Sequence, residues 1–439
     1  MNIVFIAHYF PPLNSSGARR IHSFAKYLAS KGHEITVITT QKTNRDGLLT
    51  EIVPPYLKLL EIDHWGRLSP TEIDGLKEAA VGSSVAARSN LGLQLLKFKR
   101  AVMKVGGQLI DHRMVFAMQF AFPWLSSEVK KSLADADIVM STCPPWPIHL
   151  AGRFVKGRFS KLWVADYRDQ FSGSHILRGS FLSRPLEVLL ERWLIKTADH
   201  VVTISSPMKE YYEQFHQKVS CIENGFDEDV FEQARSNIPA HDINGDTDEF
   251  VLRYMGTITG DRIPVAFFRA LAKINQSEGK RMVAEFYGES TLLRKALPEL
   301  VPEAQPFVRF CPQLPYVMSI QSMLTADALF FIETSDFSSH SARGVLTTKL
   351  FEYLAAQKPL VAEINACALP AKYISDSGLG VVISEDTAEI LQGLETLRAG
   401  RFKLEIDETF INSLSRQIKA KELEQLLINL VAEQEQVAI

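Results

Sequence analysis

The stretch TTKLFEYLAAQKPLVAEI, residues 347–364, sets Lys349 and Glu352 three residues apart at the head of a helical pattern. The first amides of such a helix, near Leu346–Lys349, have no partner within it, and the helix dipole lies behind them. They suit a phosphate, and Lys349 adds a compact positive charge beside them. Glu352, one turn on, is placed to accept the paired hydroxyls of a ribose. Pro359 closes the helix and feeds the strand LVAEI. Spacing alone also fits a plainer role, a solvated ion pair on a helix surface. A second stretch, NSSG at 14–17, follows the apolar run NIVFIAHYF and a Pro-Pro step. Its small residues let backbone approach a ligand closely, ahead of a helix N-terminus that favours anions. A tight turn uses the same residues.

Both stretches need elements to hold them, and these alternate along the chain. NIVFIAHYF precedes the helical pattern RRIHSFAKYLASKGH, with Ile21, Phe24, Ala25 and Leu28 at helical spacing and Gly32 as the C-terminal cap; EITVITT follows. That is a βαβ unit, and such units imply parallel sheets with right-handed crossovers. Further strands read at DIVMST, KLWVADY, HVVTISS and VSCIEN, and a second series at FVLRYMGT, MVAEFYGES, FVRFCP, ALFFIETS, PLVAEI and LGVVIS. Between the series, 227–249 is acidic and polar and reads as the exit from a first domain. The final amphipathic helix carries Leu423, Leu426, Leu427 and Leu430 as its stripe. In parallel sheets ligands bind at the carboxyl ends of strands, so site residues are expected just after strands, in a cleft left between two Rossmann-like halves.

With 439 residues, 46% apolar and 23% charged, the chain reads as a globular protein of two domains or more. The opening apolar run lacks a basic lead and a cleavage site, so no signal peptide is expected, and no run reaches the ~18 apolar residues of a membrane span. Cys143, Cys221, Cys311 and Cys367 are scattered, without a CxxC pair, which fits reduced cytosolic thiols rather than zinc or disulfides. Residues 1–200 carry 26 Lys and Arg against 17 Asp and Glu, and the remainder 22 against 34, for the net of −3. A basic front half suggests an anionic partner. No nucleic-acid motif accompanies it. On the pattern LGLQLLKFKRAVMKV, Lys97, Lys99, Arg100 and Lys104 flank a stripe of Leu91, Leu95, Phe98, Val102 and Val105; the stripe reads as core-facing, while the basic residues would attract an anionic membrane surface.

KLFEYLAAQKPL resembles the donor-binding helix of retaining glycosyltransferases of the GT-B fold, family 4 type. The likeness runs over most of the chain: MNIVFIAHYFPP with SGARR and LASKGHEITVITT, WVADYRDQF, ADHVVTISS with IENGFDEDVF, VLRYMGTI and ADALFFIETS. It implies an α/β fold of two Rossmann-like parallel-sheet domains facing a central cleft. An acceptor-side domain over 1–230 would be completed by a C-terminal helix, 413–439, crossing back to it; 231–247 would be a linker and 248–412 the donor-side domain. It implies a sugar moved from a nucleoside-diphosphate sugar to a glycan or lipid-linked acceptor, as in bacterial polysaccharide biosynthesis. The protein would be cytoplasmic, with contact at the inner face of the membrane.

Carried over residue by residue, the resemblance assigns Ser16, Gly17, Gly256, Thr257, Arg262, Thr347, Thr348, Lys349, Leu350 and Glu352 to the donor. Arg262 and Lys349 would supply the two charges that stabilise the departing diphosphate. His8, Arg19 and Arg168 fall on the acceptor side. Two departures stand out. The family's sugar-contacting Glu, eight residues before Glu352, is Gly344 here, and the Arg after the glycine matching Gly256 is Thr257. Where many members have a histidine, DYRDQF offers Asp166 and Asp169, which would polarise an acceptor hydroxyl or steady an oxocarbenium ion; a buried Asp–Arg pair is the alternative. His8 and His149 read equally well as core histidines. No metal or cofactor is expected: Asp135/Asp137 read as a helix–strand junction and Asp227/Asp229 as a helix cap and first-turn acid, and GT-B enzymes use basic residues and a helix dipole in place of an ion. A hydrolysing epimerase of the same fold and a non-catalytic glycan-binding scaffold are the competing functions.

Overall fold

Apolar runs such as NIVFIA and ALFFI, with hardly a polar interruption, suit strands covered on both faces, and both sheets are built from such runs. The computed structural model describes residues 1–42, 49, 52–63, 109, 111, 113–173, 183–238, 248–258, 262–333 and 340–437. The chain divides into two units, Met1–Glu223 with Ser339–Ser341 and Ala420–Ile439, and Asn224–Ser338 with Ala342–Lys419.

The first unit runs β1 Asn2–Ala7, α1 Ser16–Ser30, β2 Glu34–Thr40, β3 Lys58–Ile62, α2 Met114–Ala121, α3 Ser127–Asp135, β4 Ile138–Cys143, α4 Pro147–Phe159, β5 Leu162–Tyr167, α5 Arg184–Thr197, β6 His200–Thr203, α6 Ser206–Glu213 and β7 Val219–Cys221. Its parallel sheet has the order β3-β2-β1-β4-β5-β6-β7. The predicted stripe on α1 is buried, and Gly32, at φ +85°, takes the left-handed turn that ends it.

The second unit runs α7 Glu228–Ser236, β8 Glu249–Met255, α8 Val265–Ile274, β9 Arg281–Tyr287, α9 Thr291–Leu300, β10 Val308–Cys311, α10 Tyr316–Leu324, β11 Ala328–Ile332, α11 Thr348–Ala356, β12 Leu360–Glu363, α12 Leu369–Asp376, β13 Gly380–Ile383, α13 Thr387–Arg398 and α14 Glu408–Ser413. Its sheet, also parallel, has the order β10-β9-β8-β11-β12-β13. The last helix, α15 Arg416–Val437, belongs to the first unit from Ala420 on. There Ala420, Leu423, Leu427 and Leu430 join a core with Ile3, Phe5, Ile21 and Leu28.

The expected linker is misplaced. Residues 231–236 lie in α7, whose Phe231 and Ala234 are buried in the second unit's core. The helix begins where Asp227 and Asp229 were expected to cap it, and two apolar side chains three apart carry it on into the second unit. Phe226 bridges to Ser415 in parallel fashion, so 224–230 and 413–419 go with the second unit. The helical pattern at 91–105, with Lys97, Lys99, Arg100 and Lys104, lies outside the described residues.

Candidate functional site

In the second unit, β8 ends at Met255 and turns at Gly256, φ +133°. The same edge carries Lys349, in the first turn of α11. Its Nζ donates to the Tyr254 hydroxyl at 2.7 Å and sits 4.4 Å from the centre of that ring and 5.4 Å from that of Phe331. Two aromatic faces thus hold an ammonium that has no carboxylate partner among the described residues. The Tyr254 hydroxyl passes its own proton to Thr257 O at 3.1 Å, which ties the Gly256–Thr257 turn to Lys349. The N-cap of α11, Thr347, makes no side-chain capping bond, and the first turn holds no acid. Thr347 Oγ1 is buried without a partner. The helix therefore presents uncapped amides, an unused hydroxyl and a cation at one place, the requirements of an anion site.

Contrast shows how specific this is. The N-terminus of α8, fed by the same sheet edge, is already filled: Glu363 accepts from Phe267 N at 2.7 Å and Ala266 N at 3.3 Å. Burial pushes the Glu363 carboxyl up to about 7 against those two bonds.

Arg262 and Glu352 are placed differently from expectation. Arg262 forms an ion pair with Glu333, the residue that follows β11, and both are largely buried. Its charge is matched by a carboxylate of the protein itself. Glu352 is buried and accepts from the Tyr316 hydroxyl at 2.9 Å, so it is no solvated helix pair with Lys349. Leu350 is fully buried core, Thr347 and Thr348 stand half-buried at the helix start, and Gly344 is buried.

In the first unit the predicted residues split into bracing and exposed groups. Asp166 is buried, accepts from Arg20 Nε at 3.2 Å and Nη2 at 2.9 Å, and takes a third bond from Thr142 Oγ1 at 2.9 Å. It is the buried Asp–Arg pair, made with Arg20 on α1 rather than with its neighbour Arg168, and it leaves the catalytic set. Arg168 is a brace as well. Nη1 donates to Gly17 O and Nη2 to Pro144 O, each at 2.8 Å, while the guanidinium lies 5.3 Å from the Tyr9 ring centre. A Cβ on Gly17 would fall 2.5 Å from Arg168 Nη1, so the glycine is what admits the brace. Ser15 caps α1 through Ala18 N at 3.2 Å; the side chain of Ser16 lies outside the described residues.

His8 is buried with Nδ1 2.7 Å from Thr40 Oγ1. His149 is buried against Tyr167, 4.2 Å between ring centres, and burial lowers it to about 3, a neutral core histidine. Arg19 reaches back to Asn14 Oδ1 at 3.3 Å. Asp137 anchors Asn2 N at 2.7 Å, and among the described residues no cluster of His, Cys, Asp and Glu is arranged to hold a metal ion.

Asp169 alone of the predicted acids is exposed. It accepts no hydrogen bond among the described residues, and crowding by protein pushes its carboxyl up to about 6, opposed in part by Arg168. A carboxylate with that value, just past a strand's C-terminal end, is fit to take a proton near neutral pH.

Residues 16–225 match the family model for a glycosyl transferase 4-like domain. That stretch is similar to glycosyl transferase 4-like domains, and the chain has the GT-B fold. Solved structures with that fold align over nearly its whole length. A Rickettsia africae glycosyltransferase gives a TM-score of 0.60 at 14% identity, covering 98% of each chain. Anabaena HepE in complex with UDP gives 0.61 at 12%, covering 98% of this chain and all of that one. A trehalose 6-phosphate synthase from Burkholderia multivorans gives 0.61 at 9%, covering 100% of this chain and 98% of that one. No curated protein matches the chain.

Three further residues lie at this edge of the second unit's sheet and carry no motif in the sequence. Glu333 and Glu363 each close a strand, the position where ligand-facing residues were expected, and Tyr254 sits two residues before the Gly256 turn.

Proposed function

We propose that this protein is a retaining glycosyltransferase that takes a sugar from a nucleoside-diphosphate sugar and passes it to a glycan or a lipid-linked acceptor. The observation that carries the reading is the open N-terminus of α11, with the unused Thr347 hydroxyl and the Lys349 ammonium beside the Gly256 turn. The donor's diphosphate would bind there, Arg262 would add a second charge on leaving Glu333, and Glu352 would take the ribose. As the bond from the sugar's anomeric carbon to phosphate breaks, its electron pair goes to the diphosphate, where these charges stabilise it. The acceptor oxygen attacks the same face, and its proton passes to Asp169 or to the leaving phosphate. Anabaena HepE, whose structure holds UDP, supports a nucleotide on this fold.

With cations and a helix end opposite the diphosphate, no metal ion is needed, and turnover is expected to survive excess EDTA. The direct test is thermal stabilisation by a panel of nucleotide sugars, followed by nucleotide release with and without acceptor. Release that depends on acceptor supports transfer, acceptor-free release at full rate points to the epimerase, and no stabilisation by any nucleotide sugar overturns the reading.

A further inference from the structure

Helix α5 turns two acids inward. A helix lying on a sheet normally keeps its charges on the solvent side, yet Glu187 and Glu191 are 0% and 1% exposed. Glu187 is met locally, by Ser183 Oγ at 3.1 Å. Glu191 reaches a different part of the chain. Its Oε1 accepts from Phe171 N at 3.0 Å and from the Tyr212 hydroxyl at 3.3 Å. Its Oε2 accepts from Ser172 N at 3.3 Å, from the Ser172 hydroxyl, and from the Tyr211 hydroxyl at 3.1 Å. Three of these bonds come from the loop that leaves β5 and two from α6. Burial pushes the Glu191 carboxyl up and the bonds from Ser172, Phe171 and Tyr211 pull it back, with no cation among the described residues to help. A carboxylate buried that way is costly, and its donors are what make it tolerable.

The loop held by Glu191 is the one that carries Asp169. Arg168, Gln170, Phe171 and Ser172 are all buried, and Asp169 is the residue that stands out from among them. Upstream of it, Arg168 N donates to Cys143 O at 2.9 Å, and the guanidinium is fixed on Gly17 O and Pro144 O. Downstream, the Phe171 ring stacks on Trp146 with centres 5.2 Å apart, and the next two amides end on Glu191. The Asp169 carboxylate itself accepts no hydrogen bond among the described residues, so its direction is set by the backbone on either side. Two oxygens of one carboxylate against two consecutive amides fix the orientation of that backbone as well as its place. A glutamine could not do the same, because its nitrogen would face one of the amides donor to donor.

We propose that Glu191 is a positioning residue for the transfer reaction: by holding the Phe171 and Ser172 amides, it aims the Asp169 carboxylate at the acceptor hydroxyl. This rests on the reading of Asp169 as the group that takes the acceptor's proton. Glu191 and Asp169 both belong to the first unit, whereas Lys349 and the Gly256 turn belong to the second, so donor binding is expected to be indifferent to Glu191.

Steady-state kinetics and hydrogen exchange read by mass spectrometry test the assignment on the full chain. In Glu191→Gln, kcat should fall by ~10²-fold, the scale of a reacting group displaced by about 1 Å, while the donor KM changes by less than about twofold. Exchange in the peptide spanning 168–173 should become at least ~10-fold faster. The rising limb of the rate near pH 6 should move lower, because a loosened loop lets water reach a carboxyl that crowding by protein holds at about 6. Glu191→Asp keeps the charge but shortens the reach, and should act in the same direction if the glutamine variant folds poorly. Ser183→Ala strips a bond from the other buried acid of α5 and should lower the melting temperature alone, with kcat and the limb unchanged. Wild-type kcat and limb in Glu191→Gln, with Asp169→Asn inactive, overturn the positioning role and leave the base in place. Full activity in Asp169→Asn overturns both. A loss of kcat in Glu191→Gln with unchanged exchange and an unmoved limb also overturns the positioning role, as the mark of a fold merely weakened.

Discussion

The Lys349 ammonium donates to the hydroxyl of Tyr254 at 2.7 Å while lying 4.4 Å from the centre of the same ring. One tyrosine thus fixes both the position and the height of the cation. Since Tyr254 also donates to Thr257 O, the turn after β8 and the head of α11 move together. Lys349→Ala should reduce turnover by at least ~10²-fold, the scale of losing one charge-stabilising donor. Tyr254→Phe keeps the ring face and loses the hydroxyl, and a smaller loss is expected. Steady-state kinetics on both variants decides it; equal activity in Lys349→Ala and wild type would remove the lysine from the site.

Arg262 is engaged by Glu333, so a diphosphate must compete with a carboxylate for it. Glu333→Gln should raise nucleoside-diphosphate affinity by roughly three- to tenfold, because a larger fraction of the protein then offers a free guanidinium. Arg262→Ala should lower it. Calorimetric titration of the two variants reads this, and weaker binding in Glu333→Gln would assign Glu333 a supporting role.

Glu352, bonded to the Tyr316 hydroxyl, is held in one orientation before any ligand arrives. Glu352→Gln should weaken nucleotide binding by roughly 1–3 kcal/mol, the range for hydrogen bonds to a charged group. Tyr316→Phe leaves the carboxylate in place without its guide and should cost less. An affinity unchanged in Glu352→Gln would return the residue to the core of the fold.

Desolvation pushes the Asp169 carboxyl from its ordinary 3.8 up to about 6 in the folded protein, with Arg168 opposing it. The rate should therefore rise with pH through about 6 as the base ionises, and that limb should vanish in Asp169→Asn. Stability runs the other way. Between the two values the folded state binds more protons than the unfolded one, so stability falls as pH rises and stays reduced above about 6. Asp169→Asn should thus melt higher than wild type at pH 7.5, with the advantage gone at pH 4. A variant that loses activity without gaining stability would argue against the raised carboxyl.

How much of this could be read from residues in a row depends on what holds each feature. The strands were readable because parallel strands buried on both faces become unbroken apolar runs, as in DIVMST and ALFFI. The helix at KLFEYLAA was readable from its spacing and from Pro359. Partners were not. Asp166 has Arg168 two residues away, yet the chain delivers Arg20 from α1, and Glu352 finds Tyr316 on a different helix. Such pairs form only when the sheet order brings distant loops to one edge. The start of α7 was legible, with Asp227 at its N-cap and Asp229 in its first turn; its length was not, because only Phe231 and Ala234 bury it and acidic residues dominate the composition.

The core shared by Ile3, Phe5 and Leu28 with Leu423 and Leu427 has a consequence for the order in which the protein is made. A domain emerging from a ribosome normally folds once its own segment is clear. This first unit is clear long before α15 is translated, and until then one side of its sheet lacks the leucines that cover it. The newborn half must wait, with apolar surface open, while the whole second unit is synthesised and folds, and only the closing helix seals it.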